Sequence, residues 1–134
     1  MKSKLLMLLA LVVGLLAVCG PMFAHHGSAA YANTVLVLKD ATVTKFVWSN
    51  PHNIVMFDVK DDKGEIAHWA GEAGSPSATG LLGWNRNSLQ PGDVITVYIY
   101  PAKSGNPVGR LNKIVFADGK ILRDSQLGGD KKEQ

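Results

Sequence analysis

The chain has 134 residues, 46% of them hydrophobic and 19% charged, and a formal net charge of +3. A chain of this length fits one domain with a single core, and its scattered lysines and arginines argue against a nucleic-acid partner. The single cysteine, Cys19, excludes a disulfide within the chain.

Residues 1–24 have the pattern of a signal peptide. Two lysines open the chain, an uncharged apolar run follows through residue 18, and Ala24 is a small residue of the kind after which signal peptidase cuts. The apolar run is shorter than the roughly 20 residues that span a bilayer, so we expect no membrane span after cleavage. The mature protein would begin at His25 with a formal charge of about +1, and we expect it in the periplasm.

Residues 16–19 (L-A-V-C) also resemble a lipoprotein box, in which Cys19 would be lipidated and anchor the chain. Val18 is too bulky for the residue before that cysteine, so we favour cleavage after Ala24. Cys19 then leaves with the signal. The mature protein would have no thiol, disulfide or cysteine metal ligand, which suits an oxidising compartment.

The next segments alternate apolar and polar side chains in the manner of β-strands. Residues 35–48 predict one long strand with a bend at Lys39 and Asp40. Residues 53–60 and 65–73 predict a hairpin, in which Gly64 suits the left-handed position of a three-residue loop.

A short helix and further strands follow. Ser75 and Pro76 have the pattern of a helix cap and first turn, and the helix should end near Gly83. Further strands are predicted over residues 94–100, 111–116 and 121–122, before a polar tail over residues 124–134 that we expect to be disordered.

This order of elements predicts the fold class. Three strands, a short helix and two or three strands are typical of an all-β, OB-like barrel of five to six strands, with the helix between strands three and four. We expect residues 25–123 to form this domain. Small SH3-like barrels share much of the pattern and stay an alternative.

Two adjacent histidines, His25 and His26, would open the mature protein. The free α-amino group and the two imidazoles offer three nitrogen donors, which suit the tetragonal preference of Cu(II); zinc and nickel also accept imidazole. The alternative is that the pair is merely a polar beginning of the mature chain.

His52 lies in the turn between the first two strands, and the hairpin register predicts its neighbours. If residues 62–64 form the loop, Ile54 lies opposite Glu72. Because side chains alternate between the two faces, His52 and Glu72 are then diagonal neighbours on one face. A carboxylate there orients the imidazole or joins it as a ligand; alternatively, a hydrogen bond only fixes the turn.

The same register places His68 opposite Asp58, some 16 Å along the strand from His52, which is too far to share a metal. We therefore leave His68 outside the site and interpret it as an exposed partner of Asp58.

The aromatic residues leave two interpretations open, because they either pack in the core or line an OB-type binding face. The tryptophans concerned are Trp48, Trp69 and Trp84.

The sequence has no cysteine nucleophile after the signal, no G-x-S-x-G elbow and no phosphate-binding glycine loop, so we predict that the protein is not an enzyme.

Three residue groups, H-H-G-S at 25–28, W-S-N-P-H at 48–52 and G-E-A-G-S-P at 71–76, together resemble a family of small exported bacterial proteins. That family is catalogued only as a domain of unknown function, and the resemblance covers residues 25–122. Its members often carry an acidic residue beside a tyrosine near the start, whereas alanines flank Tyr31 here. The resemblance implies a role for the residues that match its motifs: His25, His26, His52 and Glu72.

The leading hypothesis is a periplasmic OB-like protein that binds a metal ion, copper before zinc or nickel. His25, His26 and His52 would be the ligands, and Glu72 would orient His52 or be an extra ligand. The alternative is a binding module for a small non-metal ligand or a periplasmic protein partner. A copper-dependent oxidase is disfavoured because no substrate cleft can be read from the sequence.

Overall fold

The computed structural model describes residues 28–125, together with Met1 and Lys4. Nearly all of the predicted signal peptide, the histidines His25 and His26, and residues 126–134 lie outside the described residues, so the predictions about them stay predictions. Within the described residues, no helix is long and apolar enough to cross a membrane.

Within residues 28–125, six strands form one sheet that closes on itself. They are β1 (Leu36–Val47), β2 (Ile54–Lys60), β3 (Ile66–Glu72), β4 (Val94–Pro101), β5 (Val108–Phe116) and β6 (Ile121–Arg123). Antiparallel neighbours follow the order β3-β2-β1-β4-β5-β6, and a parallel pairing of β3 with β5 completes the barrel. The described residues therefore have an all-β, OB-like fold: a closed five-stranded mixed barrel with one additional strand and one short α-helix between β3 and β4, as the sequence predicts. A 3-10 turn over Ser28–Ala30 precedes β1.

The predicted bend and hairpin are confirmed. Asp40 has a left-handed φ of 54°, at the point where the pairing of β1 with β4 shifts its register. Gly64 has φ 82° in the loop between β2 and β3. The pairing of these two strands puts Ile54 opposite Glu72, in the predicted register. All side chains that the register assigns to the core side of the hairpin are buried or half-buried: Val55, Phe57, Val59 and Trp69.

The helix, α1 (Pro76–Gly80), lies between β3 and β4 and is shorter than predicted. Ser75 caps it as expected, since its Oγ accepts a hydrogen bond from the Ala78 N–H at 3.3 Å. Beyond Gly80 the chain tightens into a turn in which the Gly83 N–H donates to the Gly80 carbonyl, and Gly83 itself has φ 91°. Residues 81–83, which were predicted to belong to the helix, form this turn instead.

Besides the helix, the start of β5 and the start of the tail differ most from the prediction. β5 begins at Val108, three residues before the predicted start, because its first residues pair with β3 as well as with β4. Asp124, the first residue of the predicted tail, is held in the fold: its N–H donates to the Asn112 carbonyl at 3.0 Å, and its Oδ1 accepts from the Gly74 N–H at 2.6 Å.

The barrel closes at a pair of glycines. Gly71 of β3 and Gly109 of β5 are partners in the parallel pairing. A Cβ at Gly71 would lie 2.7 Å from Leu111 Cδ2, and one at Gly109 would lie 2.5 Å from the Tyr100 carbonyl oxygen. At Gly109 the neighbouring backbone leaves no room for a side chain, whereas at Gly71 the Leu111 side chain would have to move. The next partners in the pairing are Glu72 and Arg110, whose side chains alternate to the outer face.

Candidate functional site

Asn53 fixes the loop between β1 and β2, which carries His52. Its side chain is fully buried, and its Nδ2 donates to Thr79 Oγ1 at 2.9 Å and to the Gly74 carbonyl at 3.0 Å. Its Oδ1 accepts from the Ser49 N–H at 3.2 Å. The loop is thereby tied to α1 and to the segment that follows β3, so the backbone at His52 has a defined position.

His52 and Glu72 are in contact, as the register predicts. Their side chains are 36% and 22% exposed, and His52 Nδ1 lies 3.2 Å from Glu72 Oε1. The same nitrogen lies 3.1 Å from the Ala73 carbonyl oxygen. A carbonyl only accepts hydrogen bonds, so Nδ1 carries the proton and donates it. In the neutral form of a ring with this tautomer, the lone pair is on Nε2.

Glu72 also has a second partner, Tyr31, which sequence reasoning did not assign to the site. The Tyr31 hydroxyl donates to Glu72 Oε2 at 3.1 Å, so the two carboxylate oxygens face two different side chains. Tyr31 reaches Glu72 because it forms an isolated β-bridge with Ala102, at the end of β4. We name the cluster of Tyr31, His52 and Glu72 the His52–Glu72 site.

Burial and charge around this site shift two pKa values. Burial raises the pKa of the Tyr31 phenol above its usual value of 10.0, and the Glu72 charge and hydrogen bond raise it further, against the opposing effect of Arg110. Burial also raises the pKa of Asp124 above 3.8, while the Gly74 N–H, Arg110 and His52 act in the opposite direction. The Tyr31 phenol therefore stays protonated at neutral pH.

Arg110 borders the site on the outer face of the barrel. It is the partner of Glu72 in the parallel pairing, and its guanidinium carbon lies 5.2 Å from the centre of the Tyr100 ring. The Tyr100 hydroxyl in turn accepts a hydrogen bond from Asn112 Nδ2 at 3.2 Å. The surroundings of the site thus combine carboxylates, an imidazole and a guanidinium on one outer surface.

His68 pairs with Asp58 rather than with the site, as predicted. Its Nδ1 lies 2.6 Å from Asp58 Oδ1, and its side chain is 80% exposed.

The tryptophans mainly support the core. Trp84 is buried, and its Nε1 donates to the Arg123 carbonyl at 2.9 Å. Trp69 stacks on Phe57 with ring centres 6.4 Å apart, and Trp48 is half-buried against the core. Of the two interpretations that the sequence left open, core packing therefore holds for Trp84. Trp48 and Trp69 keep part of their surface in solvent.

The metal-site prediction is only partly within the described residues. His52 and Glu72 are brought together, whereas His25 and His26 precede residue 28. Across residues 28–125, no group of three or more His, Cys, Asp or Glu side chains is placed to hold a metal ion.

Tyr31, in the site, and Asn53, beside it, carried weak sequence signals. Tyr31 follows the predicted cleavage point closely, but nothing in its local pattern indicates a partner 41 residues away. Asn53 begins the second predicted strand, where an amide is unusual, and this was the one cue to its buried role.

The chain matches the model of a protein family. The family model described as a family of unknown function (DUF6152) matches residues 12–112, which include Tyr31, His52 and Glu72. No curated protein and no solved structure matches the chain significantly.

Proposed function

The chain belongs to the DUF6152 family of unknown function, and we propose that it is an exported, periplasmic barrel protein that binds a transition metal ion, copper first. Residues 1–24 would be the signal peptide, and cleavage after Ala24 would expose His25 as the amino terminus. The ligands would be the α-amino group, His25, His26 and His52. Zinc and nickel are the other ions that this donor set accepts.

The observation that carries the proposal is the hydrogen bonding of His52. Metal-binding histidines typically donate their second ring N–H to a carboxylate or a carbonyl, which fixes the tautomer and the ring orientation. Here Nδ1 faces both Glu72 Oε1 at 3.2 Å and the Ala73 carbonyl at 3.1 Å. The lone pair on Nε2 is the one that a metal would take. Glu72 then serves as the orienting residue, because Tyr31 and His52 already engage its two oxygens.

The chain length allows the amino terminus to join His52. His25 precedes Tyr31 by six residues, of which Ser28–Ala30 form a 3-10 turn. At about 3.5 Å for each extended residue and about 2 Å for each residue of the turn, the segment spans at most about 16 Å. The Tyr31 hydroxyl lies 3.1 Å from Glu72, which contacts His52. Two imidazoles and an amine at one end of this segment can therefore complete a nitrogen-rich set around His52.

The test is Cu(II) affinity, measured by competition with a chelator of known affinity on exported protein that begins at His25. His52→Ala and the insertion of one glycine before His25 should each weaken binding more than about tenfold. The insertion keeps every imidazole and displaces only the α-amino group. His68→Ala is the matched control, because His68 lies outside the site, and it should leave the affinity unchanged. Unchanged affinity in both test variants would remove this site.

A second candidate is a binding module for a small non-metal ligand or a periplasmic partner. It is supported by apolar side chains on the outer face of β2 and β5: Met56 is 38% exposed and Val108 is 40% exposed. Trp48 and Trp69 also keep part of their surface in solvent. This candidate expects acrylamide to quench part of the tryptophan fluorescence and Cu(II) to leave the melting temperature unchanged. An upward shift on addition of Cu(II) would favour the metal site instead.

A further inference from the structure

The segment before β1 is attached to the barrel beside the His52–Glu72 site. We call residues 28–34 the amino-terminal arm. The Ala32 N–H donates to the Pro101 carbonyl at 2.8 Å, and the Lys103 N–H donates to the Ala30 carbonyl at 3.0 Å. These bonds hold the arm against the end of β4, but none of them reaches β3.

Tyr31 supplies the contact between the arm and β3. Its hydroxyl donates to Glu72 Oε2 at 3.1 Å, while Glu72 Oε1 faces His52 Nδ1 at 3.2 Å. A carboxylate held from both sides has a fixed orientation, whereas one with a single partner rotates about its terminal bond. The hydroxyl therefore does two things at once: it fixes Glu72 against His52, and it ties the arm to the strand that carries Glu72.

We propose that Tyr31 is the positioning residue of His52: its hydroxyl locks Glu72 onto His52 and ties the amino-terminal arm to β3. The hydrogen bonds concerned lie within the described residues and are testable without any metal. Only the consequence for metal binding rests on the proposed function. Tyr31 itself is not a ligand in this scheme, because its hydroxyl proton is engaged by Glu72.

The metal-free test is hydrogen exchange of two backbone amides, those of Ala32 and Lys103, in Tyr31→Phe. Both amides donate in the bonds that hold the arm. Loss of the hydroxyl should accelerate their exchange more than about tenfold, because the arm then opens without breaking a contact to β3. Tyr98→Phe is the matched control: Tyr98 lies on β4 with its ring 4.4 Å from the Lys113 ammonium, away from the site. Equal exchange in the two variants would overturn the inference.

The metal test uses the same pair of variants with Cu(II) alone. Tyr31→Phe should lower the affinity by about 10–100-fold, the range typical of residues that orient a ligand, and Tyr98→Phe should not change it. Equal melting temperatures of the two variants would show that the loss is not due to unfolding.

The possible outcomes separate the two proposals. If the parent protein binds Cu(II) and Tyr31→Phe binds it equally well, Tyr31 is not a positioning residue and the metal site stands. If the parent protein does not bind Cu(II), the proposed function fails, and with it the part of the inference that concerns a metal. The amide exchange then still decides whether Tyr31 holds the arm.

Discussion

Gly109→Ala should destabilise the protein strongly, because the barrel closes at that residue. The new Cβ would lie 2.5 Å from the backbone oxygen of Tyr100 and 2.7 Å from Ile99 Cγ1. Real Cβ atoms do not approach so closely, and a backbone carbonyl inside a paired strand cannot rotate away. Either the pairing of β5 with β4 or the pairing of β5 with β3 must therefore shift. Glu72 lies in the pairing of β5 with β3, opposite Arg110.

The magnitude follows from the cost of overpacking, about 1–3 kcal/mol, and the rigid neighbour places Gly109→Ala near the upper end. For a domain of roughly 100 residues, this loss lowers the melting temperature by at least about 10 °C. Gly71→Ala should cost less, since its nearest contact, at 2.7 Å, is the end of the Leu111 side chain. Gly80→Ala is the matched control, because a Cβ there meets nothing within 4 Å.

The assay is urea unfolding followed by tryptophan fluorescence, together with thermal melts, on the parent protein and the three glycine variants. The expected order of stability is Gly80→Ala above Gly71→Ala above Gly109→Ala. Glycine-to-alanine changes also stiffen the unfolded chain by a similar amount at all three positions, so the differences report on the folded state. If Gly109→Ala were as stable as Gly80→Ala, the closure described here would be wrong.

Three further predictions concern single side chains, two beside the site and one outside it, and all three are measured by urea unfolding. Asn53→Ala should cost about 1–3 kcal/mol, because it removes the buried bonds of this amide to Thr79 Oγ1 and the Gly74 carbonyl and leaves the Ser49 N–H without its acceptor; a neutral result would contradict the role of this amide. Asp124 has a raised native pKa, so the native state holds its proton more tightly than the unfolded chain does. Its contribution to stability should therefore fall as pH rises from about 3.8 through the native pKa, and the parent protein should lose stability relative to Asp124→Asn over that range; a relative gain would refute the direction of the shift. His68→Ala should change the stability by less than about 0.5 kcal/mol because the side chain is exposed, and a larger loss would contradict this.

Much of the fold follows from local sequence signals. The alternation in β2 and β3 and the left-handed glycine at position 64 fix the hairpin register, and the register alone brings Glu72 next to His52. Ser75 and Pro76 mark the beginning of the helix in the same local way. Signals of this kind are readable because strand alternation, turn geometry and helix capping each depend on a few consecutive residues.

The parts that escaped prediction depend on residues far apart in the chain. Gly71 and Gly109 are partners across 38 positions, and nothing beside either glycine indicates the other. Tyr31 contacts Glu72 only because the arm runs back along the end of β4. Asp124 follows the last strand in a polar stretch, so its burial results from the barrel and not from its neighbours in sequence. Non-local contacts of this type leave no periodic pattern.

The most direct test of the proposed function is the intact mass of the protein purified from the periplasm, measured together with its metal content. The account predicts a chain that begins at His25 and carries about one equivalent of copper, as a single amino-terminal chelate requires. A chain that begins elsewhere, a lipidated Cys19, or a chain that begins at His25 without bound metal would contradict it.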